Sequence, residues 1–74
     1  MQGSALVPMA SELLKQSPLP ALRQLRVSET DTEIVIHGVV SSFYLKQLAQ
    51  ETVRPVQYGR RLHNRVIVSR NQPT

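Results

Sequence analysis

Few side chains in this sequence are of a type and spacing that could do acid–base, metal or nucleophilic chemistry. The two histidines, His37 and His63, fall at outward positions of expected strands, and pairing of those strands would make them neighbours. Two imidazoles without a cysteine or a spaced carboxylate partner do not supply the ligand set that zinc takes. Exposed strand histidines are the simpler reading, and no metal site is expected. Glu29, Asp31 and Glu33 crowd one short stretch, but the alternating oxygen pattern of a calcium loop is absent, so a solvated turn is expected. Ser41 and Ser42 precede a helical pattern with no base or oxyanion-hole motif beside them, and helix capping accounts for them. Neither a phosphate loop nor a dinucleotide-binding glycine pattern occurs. These observations read as a non-enzymatic chain with no cofactor and no small-molecule substrate.

Binding is better represented. The segment Arg54-Pro55-Val56-Gln57-Tyr58-Gly59-Arg60-Arg61 places one aromatic among arginines, and Arg65 continues it along an expected strand. Guanidinium groups suit bidentate contacts to phosphate or carboxylate. Phe43 falls on the polar face of the second long helix, with Lys46 on its flank and Arg54 at its far end. An aromatic ring beside cations is the composition of an interfacial membrane contact. The candidate anion- or lipid-binding residues are therefore Lys46, Arg54, Arg60, Arg61 and Arg65, with Phe43 and Tyr58 as interfacial aromatics. A solvated cationic face that keeps a small domain soluble accounts for the same charges.

The charge is unevenly distributed. Residues 1–37 carry three basic and four acidic residues, a net −1, while residues 38–74 carry six basic residues against Glu51 alone, a net +5. That asymmetry points to an anionic lipid surface, an acidic protein or a nucleic acid. With only three aromatics, none placed on an exposed sheet face, stacking platforms are poor, which argues against nucleic acid. Seventy-four residues make one small domain, and 41% of them are apolar, enough for a single core. The absence of cysteine excludes disulfides and thiolate sites. No apolar run approaches the length of a membrane span. The start, MQGSALVPMA, lacks a basic leader and a long apolar stretch, so the chain is read as cytoplasmic or as a domain of something larger.

The elements that must position these residues follow from periodicity. Leu6, Met9, Ala10, Leu13 and Leu14 share one helical face over residues 5–16, with Pro8 near the first turn. Pro18 and Pro20 end that helix. Residues 22–28 read as a strand with Leu25 and Val27 inward and Arg26 outward, and Glu29 to Thr32 as a polar turn. Glu33 to Val40 alternates as a strand, interrupted by Gly38, where a bulge or close backbone approach is expected. Ser41 or Ser42 caps a helix to about Val53, with Leu45, Leu48, Ala49, Thr52 and Val53 on one face and Phe43, Gln47, Gln50 and Arg54 opposite. Pro55 stops it. Leu62 to Ser69 is the last strand, with Leu62, Val66 and Val68 inward. Residues 1–4 and 70–74 are expected to be flexible. The expected fold class is α+β: an α/β two-layer sandwich in the order helix-strand-strand-helix-strand, with two helices packed on one face of a three-stranded sheet. The strand–helix–strand connection is expected to be right-handed.

The pattern Leu25-x-Val27, Ile34-x-Ile36-x-Gly38-x-Val40, Ser42, Ala49 and Leu62-x-Asn64-x-Val66-x-Val68 resembles a BON domain, the module named for osmotically induced periplasmic and nodulation proteins. The resemblance covers residues 5–69 and keeps the family spacing from Gly38 through Ala49 to Asn64. Two departures lie in loops: the usual Gly-Val before the last strand is Tyr58-Gly59 here, and the usual hairpin glycine is Thr32. The resemblance implies the same element order, structural roles for Gly38 and Asn64, and a binding module for phospholipid surfaces in the bacterial periplasm or envelope. The leading expectation is attachment to an anionic phospholipid membrane surface through a basic face. The alternative is a protein-interaction or structural module of a larger envelope-associated protein, docking through a sheet edge or helix face.

Overall fold

The computed structural model describes residues 9–69. The elements run α1 (Met9–Lys15), α2 (Pro20–Arg23), β1 (Arg26–Glu29), β2 (Glu33–Val40), α3 (Phe43–Val53), a 3-10 turn (Arg54–Val56) and β3 (Arg61–Val68). The strands form one sheet in the order β1-β2-β3. β1 and β2 pair antiparallel, and β2 and β3 pair parallel. The fold is α+β, as the periodicity predicts. The expected start of the first helix, Leu6 and Pro8 within it, and both expected flexible ends lie outside the described residues.

β2 carries the strongest alternation and becomes the central strand. Ile34, Ile36 and Val40 are buried on its inner face, where they meet Val66 of β3 and Ala49 and Val53 of α3. Ala10 and Leu14 bring α1 to the same core. Each fully buried aliphatic side chain contributes roughly 1.5–3 kcal/mol over leaving it in water. The helical faces expected on α3 are those observed: Ala49 and Val53 are buried, Leu45, Leu48 and Thr52 half-buried, and Phe43 and Gln47 exposed. Gln50 and Arg54 differ from each other, Gln50 being half-buried against β3 and Arg54 open. The helix begins where Ser42 Oγ accepts the Leu45 amide at 3.2 Å. Ser42→Ala is expected to cost about 1 kcal/mol, read as a drop of about 4–8 °C in the thermal midpoint by circular dichroism; an unchanged midpoint would show the cap to be idle.

Two local expectations need correction. Residues 22–28 do not form one strand: Pro20 to Arg23 is a helical turn, and the strand occupies Arg26–Glu29. Proline ends a helix, but it also opens one, because its fixed φ and missing donor suit the first helical position. That turn drops Leu22 into the core, 1% exposed, where an alternating strand would have placed it differently. Pro55 does not send the chain straight into a loop either. The 3-10 turn continues through it and buries Val56.

Gly38 is the site of a close approach, with no inserted residue. Strand β2 keeps uninterrupted register with β3 through Gly38↔Val66. The glycine adopts φ +143°, and a Cβ there would stand 2.4 Å from Leu25 Cδ2. The backbone of β2 and the Leu25 side chain share space that only a missing side chain provides.

Candidate functional site

Alternation along the strands sends every second side chain away from the helices. With the observed register, that outer face of the sheet forms transverse rows. One row is Arg26, His37 and Arg65, set side by side by the pairings Arg26↔His37 and His37↔Arg65. With strands about 4.8 Å apart, the two arginine backbones stand about 10 Å from each other with the imidazole between them. A second row pairs Val39 with Ile67, which are 45% and 62% exposed. On the other side of the cationic row lie Ser28, Val35 and His63, followed by Glu33 opposite Arg61. Packing explains why this face is open: α1 and α3 both spend their apolar stripes on the inner face, and no described element covers the outer one. Among the described residues, Arg26, Arg61 and Arg65 have no carboxylate partner.

The sequence-predicted cations do not gather into one patch. Arg61 and Arg65 share the outer sheet face. Arg54 sits at the end of α3 in an exposed pair with Glu51 at 2.8 Å. Lys46 is half-buried beside Phe43 on α3. Arg60 is not a surface cation. Its Nη1 donates to Glu29 Oε1 at 3.1 Å and to Thr30 O, its Nη2 to Val56 O, and its Nε to Gln57 O. Glu29 in turn accepts the Ser11 amide of α1. The side chains of this ion pair are 16% and 6% exposed, so Arg60 clamps the β3 approach to the β1–β2 turn and α1. Tyr58 projects into solvent from a left-handed position, φ 51°, followed by Gly59 at φ 78°. Phe43 is 65% exposed, and Tyr44 and Tyr58 are similarly open.

The histidines are diagonal neighbours on the outer face. His37 faces Arg65 across the ladder, and His63 faces Val35. His63 Nε2 stands 3.5 Å from Glu33 Oε2 without a hydrogen bond. Among the described residues no three His, Cys, Asp or Glu side chains gather closely enough to hold a metal ion.

Asn64 points inward and joins β3 to α3. Its Nδ2 donates to Lys46 O of α3 at 2.9 Å and to Gln50 Oε1, while its Oδ1 accepts the Val66 amide at 3.2 Å. Beside it, Phe43, Lys46, Gln47 and Gln50 line an open groove of about 450 Å³ between α3 and the outer edge of β3.

Sequence reading assigned Arg26 and His37 outward positions without including them in the site. Arg26 belongs to the half of the chain with net negative charge, and only the β1–β2 register carries it next to His37. The available signal was the outward phase of both residues in strands joined by a short turn. No family model matches the chain, and comparisons with curated proteins and with solved structures find no significant match. Among the described residues no helix is long and apolar enough to cross a membrane.

Proposed function

We propose that this chain is a non-enzymatic binding module that attaches reversibly to anionic phospholipid surfaces through the outer face of its sheet. The observation that carries the proposal is the Arg26–His37–Arg65 row, unpaired with carboxylates among the described residues and bordered by exposed Val39 and Ile67. Arginines meet headgroup phosphates, and the aliphatic pair reaches the interfacial zone beside them. The resemblance to BON domains, and the envelope role it implies, agrees with this reading. A nucleic acid is disfavoured because the exposed aromatics Phe43, Tyr44 and Tyr58 lie on α3 and a loop, leaving the cationic face without a stacking platform.

Each basic residue near an anionic leaflet contributes about 1 kcal/mol. The three arginines Arg26, Arg61 and Arg65 therefore supply about 3 kcal/mol, a moderate and salt-sensitive attachment. In cosedimentation, the protein is expected to partition onto phosphatidylserine-containing vesicles at low salt, to leave them as salt rises, and to ignore phosphatidylcholine vesicles. The triple substitution Arg26→Ala, Arg61→Ala, Arg65→Ala should lower the partition coefficient about a hundredfold, a loss of about 3 kcal/mol. Arg54→Ala, on a different surface, should leave most of it. Failure to bind anionic vesicles at low salt overturns the proposal.

A further inference from the structure

The outer edge of β3 has a second kind of binding capacity. The amides of Arg61 and Ser69 donate across to Thr32 O, just before β2, and to Val40 O of β2. By strand alternation, the backbone groups of Leu62, Asn64, Val66 and Val68 point the other way, out of the sheet. No described strand pairs on that side. An eight-residue edge with free donors and acceptors is a template for another strand. The molecule occupies one of these positions itself: Asn64 Oδ1 accepts the outward Val66 amide. The edge also has a floor, because the groove of Phe43, Lys46, Gln47 and Gln50 runs beside it on α3.

Charge decides what this edge can accept. A second copy adding antiparallel along the length of β3 would set Arg65 of one chain against Arg65 or His63 of the other on the outer face. Like charges opposed across strands are destabilising. A strand carrying carboxylates at alternate positions reverses that sign. Its acidic side chains would lie beside Arg61 and Arg65, and its intervening apolar side chains would fall over the groove against the ring of Phe43.

We propose that the β3 edge and the α3 groove together bind an extended acidic segment of a partner protein by strand addition. The incoming backbone pairs with Leu62, Asn64 and Val68 and takes the Val66 amide over from the Asn64 side chain. Backbone pairing gives affinity, and the alternation of acidic and apolar side chains gives selectivity. The inference shares Arg61 and Arg65 with phospholipid attachment but rests on a different observation, the unpaired β3 edge and the α3 groove beside it.

The test titrates a blocked octapeptide of alternating Glu and Val into the isotopically labelled protein without lipid. A Lys–Val octapeptide of equal length is the control. Saturable shifts are expected at the amides of Leu62, Asn64, Val66 and Val68, with slowed hydrogen exchange at those amides, and the control should bind at least about tenfold more weakly. Val68→Pro removes an outward donor near the strand end, where the sheet itself does not use it. It should weaken the Glu–Val peptide several-fold while leaving cosedimentation with anionic vesicles unchanged. The proposal is overturned by absence of saturable binding. It is equally overturned if exchange at the four edge amides stays unchanged, which would mean the peptide contacts only the arginine side chains. Equal binding of the two peptides would overturn the assignment of an acidic partner.

Discussion

Arg60→Ala is expected to destabilise the domain by about 3 kcal/mol. Removing one member of a desolvated ion pair leaves the other buried without compensation, and such losses run about 3–5 kcal/mol. Glu29, with a side chain only 6% exposed, would be that residue. The carbonyls of Thr30, Val56 and Gln57 would also lose their donor. The lower end of the range applies because the Arg60 side chain keeps some access to water. Arg60→Lys should recover less than half, since an ammonium carries the charge without the planar fork that reaches several acceptors. Urea denaturation of the three proteins decides the matter. A change under about 0.5 kcal/mol, the usual scale for an exposed side chain, would mean that Arg60 is a surface cation after all. On a domain of this length, expected to have roughly 4–11 kcal/mol of total stability, the predicted loss is a large fraction of the whole.

Gly38→Ala should be comparably damaging, at about 2–4 kcal/mol. Two separate costs combine. The backbone at φ +143° is strained for any L side chain, a penalty of about 1–3 kcal/mol. The new methyl also meets Leu25 Cδ2 at a distance no pair of carbons tolerates. Leu25 is 9% exposed and packed in the core, so its movement disturbs neighbours. A double-mutant cycle with Leu25→Ala separates the two. The steric part should appear as a favourable coupling of about 1 kcal/mol, while the backbone part should persist in the double variant. A Gly38→Ala protein melting within a few degrees of the parent would refute the strain argument.

The core was legible because its signals are redundant. Ile34 and Ile36 alternate, Ala49 and Val53 fall on one helical face, and Ser42 stands where a cap is needed; each points to the same α+β arrangement. The short helix at Pro20–Arg23 was not legible as such. Leu22 and Leu25 fit an inward strand phase poorly and a helical turn well, but Pro20 reads as a stop signal as readily as a start. The proposed binding face was half legible. Outward phase identifies Arg65 on β3, but Arg61 reads as the end of the preceding loop, and only the register of three strands shows that Arg26 joins them. Arg60 misled for a different reason: a run of two arginines carries no mark of which one turns inward. Its partner Glu29 is thirty-one positions away, and sequence spacing holds no information on such a pair. Asn64 was expected to be structural from the resemblance alone; its bonds to Lys46 O, Gln50 Oε1 and the Val66 amide carry no mark in the sequence.

The Arg60 clamp also holds the phase of the last strand. It fixes the residue immediately before β3 against the β1–β2 turn, next to the bond from the Arg61 amide to Thr32 O. A slip of one residue exchanges the two faces of a strand. In this chain it would turn Arg61, His63, Arg65 and Ile67 toward the helices and put Leu62, Asn64, Val66 and Val68 outside. The loop around Tyr58 and Gly59 therefore carries information as well as chain: its length is a count, and Arg60 is where the count is checked. Insertion or deletion of one residue there would leave the composition of the domain almost untouched and erase the proposed binding face.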